Sequence, residues 1–548
     1  MAGDIELIRR IYVVFQDLNW TARPWLIEDE RIDGGPDWFD IALRARGTFD
    51  ARDFTWEGTL TGQRDGTITF DFRGSTESAF LRNRLGLCIL HPPSASGQPA
   101  IVEHVDGTVE STAFPDAISP HQPFVDMRAL THEPRPGLHC TIRMSGEVFE
   151  SEDHRNWSDA SFKHYCTPIS LPFPVQVLPG QPIEQSVTVT CSGEVRDVLS
   201  ADEVRIRISD ERRELPGIGM QLDADGHRLD VNEIDLLRDL GLAHVRIDLG
   251  GSDGPEQLEA ALQDASAVRA PAVVALIGAD PSALASFVDD TRIDHWLVFD
   301  PATKVTDPAL VERVREILGA NVGGGTNLYF TELNRGRPTG PQIISFSINP
   351  QVHATDDQTV MQNAMTFGVI ARNARALYPN ARLEISPITL RPRFNPNATA
   401  PELDHSNTAL PARVDIRQCQ PFAAAWTVLT LKAIAESGCI DSVTYYRATG
   451  WEGMIERAEG SPQPTDFPSR PGEPFPLYWI FRELAAERRI RVCTSSDPSR
   501  VDALALDNGI VLLANLTSQP QQARVEDQQM LVPPHGVARV ILRPDGPR

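Results

Sequence analysis

From Gly217 onward the chain alternates, eight times over, between a short apolar run and a stretch with helical periodicity, and this alternation limits the fold more than any other feature. Gly217-Ile-Gly-Met-Gln221 reads as a buried strand. Asp230 stands where a helix N-cap belongs and Glu233 completes a capping box. Val231, Ile234, Leu237 and Leu240 follow at helical spacing. Strand His244–Leu249 leads to a helix opened by Pro255, with Leu258, Leu262 and Ala265 on one face. The unit recurs in strand Ala272–Ile277 with helix 281–289, and in strand Trp296–Phe299 with helix 308–318 behind Asp307-Pro308. A fifth strand runs from Asn321 through Gly323–Gly325, and a sixth, Gln342–Ser347, precedes a long helix over about 358–377. Strand Arg382–Thr389 with helix 420–436 and strand Asp441–Tyr446 with helix 476–487 close the series. Strands separated by helices pair in parallel. Eight such units close into a (β/α)8 barrel, whose usual size is about 250 residues. A doubly wound open sheet is the competing architecture.

The flanks read differently. Within residues 1–210, Ile11–Phe15, Gly66–Phe72, Gly86–Leu90 and Gln185–Thr190 are short β-branched or aromatic runs between turn formers. An antiparallel β-sandwich is the expected N-terminal domain. Residues 490–548 return to strands, such as Val511–Ala514 and Val537–Ile541, and are expected to form a small C-terminal β-sheet. The division is therefore a sandwich over 1–210, a catalytic barrel over 211–489 and a C-terminal β-domain over 490–548. A formal charge of −24 argues against nucleic acid and against an anionic membrane as partners, and favours a small-molecule substrate. The seven cysteines are odd in number and none are at CxxC spacing, so neither a disulfide framework nor a zinc ribbon is expected. With no signal-peptide pattern and no membrane-spanning apolar run, the expected location is cytoplasmic. No metal and no cofactor is expected, since no HxH, HExxH or phosphate-binding glycine motif occurs; the Gly323–Gly325 run reads as close packing. Oligomeric state is not legible.

Barrel chemistry sits at the C-terminal ends of the strands. That rule selects Arg246 and Asp248 on the second strand, Asn327 after the fifth, Asn349 and His353 after the sixth, Arg391 and Arg393 after the seventh, and Arg447 and Trp451 after the eighth. Glu332, among Tyr329, Phe330, Asn334 and Arg335, is read as a general acid or base, or alternatively as a brace for Arg335 or Arg337. His353 is read as a proton shuttle, Arg391 and Arg393 as oxyanion or carboxylate holders, and Trp451 as a platform for a sugar ring. Each has a structural alternative: backbone satisfaction, ion pairing or core packing. Glu384 lies low on its strand and is read as structural. The segment Glu152–Lys163 is dense in ionisable groups. Either it reaches the barrel mouth or it forms an ion-pair network between domains; the second is expected, with Arg155, Asp159 and Lys163 buried and paired. No GxSxG elbow occurs, which excludes a serine esterase of the α/β-hydrolase kind at the motif level.

Several segments together resemble the D-apionate lactonase (D-apionolactonase) family: Arg82-Asn-Arg84 with His91-Pro92, Glu152–Lys163, Phe330–Arg335, Asn349–His353, Thr389–Asn397, and Thr444–Tyr446 with Thr449-Gly-Trp451. The resemblance runs in order from about residue 7 to about residue 490. It implies a hydrolase that opens a five-membered sugar lactone in pentose catabolism, on a barrel like that of glycoside hydrolases. Glu332 would serve as base or acid, His353 would assist, and Arg391 or Arg393 would stabilise the oxyanion. The family pattern has a carboxylate where this chain has Arg447, and relatives carry further strands before Ile5–Tyr12, so the sandwich is expected to be incomplete at its start. Two alternatives stay open. A glycoside hydrolase would need a second carboxyl besides Glu332, from Asp248 or Glu452. A non-catalytic carbohydrate-binding relative is the other.

Overall fold

The computed structural model describes residues 3–542 apart from 4, 19, 21, 50–51, 194–201, 223–225, 320 and 396–409. It divides into two compact units. One comprises Met1–Arg155 and Ala160–Ser200, with Asn395. The other comprises Asn156–Asp159, Ala201–Phe394 and Leu403–Arg548.

In the first unit a nine-stranded sheet and a four-stranded sheet, with a separate two-stranded ribbon, form the expected sandwich. The alternation that marks a half-buried strand is plain in Leu138–Ser145 and, from Phe70 to Thr76, in Ile68–Thr76, where every second residue is buried. Phe54, Trp56, Phe70 and Phe72 from the large sheet meet Phe15, Leu85, Leu87, Ile89 and Phe162 from the small one in a single core. Three buried histidines, His91, His132 and His164, sit in that core against Phe114.

The second unit holds a closed parallel barrel. Its strands are β1 (Gly217–Gln221), β2 (His244–Gly250), β3 (Ala272–Ile277), β4 (Ile293–Phe299), β5 (Val322–Tyr329), β6 (Ile343–Ile348), β7 (Arg382–Ile388) and β8 (Ser442–Arg447). β1 pairs with β8 to close the ring. The strands are buried almost throughout, because helices cover the outer face while side chains fill the interior. The Gly323–Gly325 run on β5 permits close approach to β6. A Cβ on Gly323 would lie 2.7 Å from that of Ile343, and one on Gly325, at φ 125°, would lie 2.2 Å from the Ser345 carbonyl oxygen.

The Asp230–Glu233 capping box forms as expected, and Pro255 and Pro308 occupy first-turn positions. Three helices differ from the sequence reading. The segment 281–289 is a 3-10 helix, Pro281–Phe287. The long helix over 358–377 is two, Asp357–Asn363 and Thr366–Leu377. The break lets Asn363 turn its amide to the Pro350 carbonyl at 2.8 Å, while Gly368 packs against the Ala433 carbonyl. A short helix, Phe330–Gly336, follows β5 directly and carries Glu332. The C-terminal strands form one seven-stranded sheet that also contains Glu203–Glu214, a strand straddling residue 210. That strand pairs antiparallel with Arg489–Ser495 and parallel with Gln521–Val525. No helix among the described residues is long and apolar enough to cross a membrane.

Candidate active site

The ends of β2, β5 and β7 bring four expected residues together. Arg246 Nε donates to Asp248 Oδ1 at 2.6 Å, and its Nη2 donates to Asn327 Oδ1 at 3.2 Å. Arg393 Nη2 donates to the same Asn327 Oδ1 at 2.9 Å and to the Asn327 carbonyl at 2.6 Å; its Nη1 lies 3.7 Å from Asp248 Oδ2. Gln221, from β1, donates to Asp248 Oδ2 at 3.1 Å. Arg246 is wholly buried, whereas the Asp248 and Arg393 side chains keep 12% and 15% exposure. Arg246 was expected to bind substrate; its position makes it the support of Asp248 and Asn327 instead. Burial, with the charge of Arg246 nearby, lowers the Arg393 guanidinium to about 10. Two cations beside one carboxylate leave positive charge at the rim, which suits a developing oxyanion.

A second cluster gathers at the ends of β5 and β6. His353 Nδ1 lies 2.6 Å from Asp159 Oδ2, and Asn363 donates to Asp159 Oδ1 at 3.3 Å. A carboxylate at Nδ1 selects the tautomer that carries its proton there, which leaves Nε2 as the acceptor nitrogen. Trp157 stands edge-on to both His353, at 6.0 Å, and Tyr329, at 6.3 Å, and Arg335 lies over its ring. Asn156 accepts from Asn334 at 2.9 Å. Between them Ser158 adopts φ 72°, a left-handed conformation that a non-glycine residue holds only when its neighbours dictate it. Tyr329 links the two clusters: its hydroxyl donates to the Phe394 carbonyl at 3.2 Å, next to Arg393.

The segment Glu152–Lys163 is thus divided, with Asn156–Asp159 grouping with the barrel and its flanks with the sandwich. Arg155, Asp159 and Lys163 are all buried. Arg155 makes a two-pronged pair with Asp153 at 2.7 and 2.9 Å, Asp159 pairs with His353, and the Lys163 ammonium sits over the Tyr165 ring.

Glu332 is buried, and Lys304 donates to it at 3.0 Å. The brace expected from Arg335 or Arg337 is supplied by this lysine: Arg335 stacks on Trp157, and Arg337 bonds the Asn334 carbonyl. Asn349 is buried, its Oδ1 holding the Gln351 backbone N–H while its Nδ2 meets no acceptor among the described residues. Three expected residues are tied up elsewhere. Arg391 donates to Asp415 at 3.1 Å; against burial, which raises it, Arg417 and Gln351 hold that carboxyl down at about 2. The space they share with Trp451 is about 10 Å³, room for one water and no sugar. Trp451 donates to Ser461 and packs on Phe467, so it is a packing residue rather than a platform. Arg447 faces Glu452 at 3.4 Å, and Arg413 donates to the same carboxylate at 3.0 Å. Pro396 and Asn397, the end of one family-like segment, lie outside the described residues. Glu384 pairs with His295 and Arg382 at the opposite end of the barrel, as a structural residue would. Asp159, Lys304 and Gln221 escaped the strand-end rule. Only Asp159 had left a trace, in its polar segment.

These features define a (β/α)8-barrel enzyme with its polar side chains gathered at the C-terminal rim. The chain belongs to the D-apionate lactonase family. Residues 1–194 match the D-apionate lactonase N-terminal domain, residues 301–489 its TIM barrel domain, and residues 498–540 its C-terminal immunoglobulin-like domain. A D-apionate lactonase from Brucella anthropi is 30% identical, over 95% of this chain and 90% of that protein. Among solved structures, a GH30 endoxylanase from Clostridium papyrosolvens C71 matches with a TM-score of 0.38 at 11% identity, covering 62% of this chain and 95% of the other. A family 39 glycoside hydrolase from Bacteroides cellulosilyticus WH2 matches with 0.35 at 13% identity, covering 79% and 87%.

Proposed function

We propose that this chain opens a five-membered sugar lactone of the D-apionolactone type by addition of water, at the rim formed by β2, β5, β6 and β7. Family membership makes it a lactone-opening hydrolase of sugar metabolism with a small-molecule, sugar-type substrate. Water attacks the carbonyl carbon, the ring C–O bond breaks, the ring oxygen takes a proton, and the acid formed releases one. His353, oriented by Asp159, takes the proton from the attacking water through Nε2. Arg393 and Asn327 face the carbonyl oxygen, whose charge grows in the tetrahedral intermediate. The His353 imidazolium so formed returns that proton to the leaving ring oxygen, and Glu332, paired with Lys304, accepts a substrate hydroxyl. Asp248 accepts substrate hydroxyls.

The single observation that carries these roles is the 2.6 Å contact between His353 Nδ1 and Asp159, made by residues far apart in sequence. Glycosidase chemistry draws no comparable support. Of its possible carboxyls, Glu452 is neutralised by Arg413 and Arg447, and Glu332 and Asp248 each carry a cation partner. Seven free thiols support a reducing, cytoplasmic setting. The test is proton release from a panel of aldonolactones. Rates above spontaneous hydrolysis, lost in His353→Gln, support the reading, and rates equal to the uncatalysed background overturn it.

A further inference from the structure

Below the rim, the barrel interior contains a polar column where branched apolar side chains normally fill the space. Its lowest member is His244, at the start of β2, whose Nε2 lies 2.8 Å from Thr444 Oγ1 on β8. Ser386 Oγ, on β7, donates to the same Thr444 oxygen at 2.7 Å. Arg246 Nη1 donates to Ser386 Oγ at 3.1 Å and to the Ser386 carbonyl at 2.6 Å. Arg246 then holds Asp248. Every member from His244 to Arg246 is at least nine-tenths buried.

We propose that His244, Thr444 and Ser386 are positioning residues for the lactone-opening reaction, fixing the Arg246 guanidinium and through it the Asp248 carboxylate. The inference rests on the reading of Asp248 as a group that touches substrate. Directionality supports it. A guanidinium only donates, so Ser386 Oγ must accept from Arg246 and send its own proton to Thr444. Thr444 then sends its proton to His244 Nε2, which must be neutral to accept it. Burial of the ring, helped by the charges of His295 and Arg382, lowers the His244 pKa to about 4 against the raising influence of Glu384 and Asp294, so it is neutral at physiological pH. The column therefore has one arrangement of hydroxyl protons, and each hydroxyl is locked at both ends.

A second, independent feature makes room for it. On β1, a Cβ at Gly219 would lie 2.3 Å from His244 Nε2, with ring carbons at 2.4 and 2.5 Å. The glycine gives up a side chain inside the barrel so that the imidazole can stand under Thr444. Packing alone gives no reason to exchange an apolar layer for a histidine and two hydroxyls, since buried polar groups stabilise little beyond what they cost. Orientation of the rim gives one.

The test is steady-state kinetics on the aldonolactone that the wild type turns over. Thr444→Val keeps the side-chain shape and removes the hydroxyl, Thr444→Ser restores it, and Asp248→Asn probes the underlying reading. The expected result is a fall in kcat/KM of about tenfold in Thr444→Val, recovered to within about twofold in Thr444→Ser, and a larger loss in Asp248→Asn. If Thr444→Val lowers only the melting temperature and leaves kcat/KM unchanged while Asp248→Asn is inactive, the column is structural and the proposal falls, with the role of Asp248 intact. If Asp248→Asn is as active as the wild type, both fall. Should Thr444→Val fail to fold, Ser386→Ala breaks the column at the next link, with the same expected loss and the same refutation.

Discussion

Acid should unfold the sandwich unit through its three core histidines. His164 Nε2 contacts His91 Nδ1 at 2.9 Å, the His91 and His132 rings lie 4.8 Å apart, and His91 Nε2, His132 Nε2 and His164 Nδ1 are buried without a partner among the described residues. Desolvation is the main cause of their low pKa values, about 4 for His132, about 3 for His164, and well below the ordinary value for His91. These folded values lie below the unfolded value of about 6.5. The unfolded chain therefore binds protons first, so stability is whole above pH about 6.5 and is lost as pH falls toward the folded values. Between pH 7 and pH 5 His132 and His164 each cost about 1.8 kcal/mol, and with His91, held neutral over the same range, the trio costs about 5.5 kcal/mol. At about 2–4 °C per kcal/mol, the calorimetric transition of this unit should fall by about 10–20 °C over that range. In His132→Leu, compared with itself at the two pH values so that packing changes cancel, the fall should shrink by about one third. An equal fall in variant and wild type would refute the reasoning.

The two rim arginines should separate cleanly. Arg393→Met should lower kcat/KM by about a hundredfold or more, as loss of an oxyanion donor does, whereas Arg391→Met should change activity little and lower the melting temperature, because Arg391 serves Asp415. Gly325→Ala should destabilise the barrel by about 2 kcal/mol or more, read by denaturant unfolding, since the new methyl meets the Ser345 carbonyl at a positive φ. An alanine variant as stable as the wild type would show that β5 relaxes freely there.

The barrel was legible because its signal is local. A buried run of β-branched and small residues followed by a capped amphipathic helix is written within a score of residues, and Asp230, Pro255 and Asp307-Pro308 mark the helix starts where the structure has them. Strand ends likewise pointed to Asp248, Arg393 and His353. What stayed hidden is long-range. Asp159 meets His353 across 194 positions, and strand Glu203–Glu214 finds its neighbours beyond the barrel, near residues 489 and 521. Arg246 and Asp248 alternate with apolar residues in one strand, so the pattern cannot tell the inward residue that is sealed from the one that stays accessible; the neighbours Ser386 and Asn327 decide it. Arg391 and Arg393 share the same spacing and the same strand end, and only the loop bearing Asp415 separates their roles. Trp451 looked like a sugar platform until Ser461 and Phe467 took up its edge and face.

In the proposed reaction His353, held by Asp159, activates water against a sugar lactone. The most direct test of that role is the pH–rate profile of lactone opening by the wild type and by Asp159→Asn, followed by proton release. Turnover by the wild type is expected, with a loss of kcat of about a thousandfold or more in Asp159→Asn, because the amide no longer holds the imidazole with its proton on Nδ1. Wild-type turnover with an Asp159→Asn rate within a few-fold of it would contradict that role.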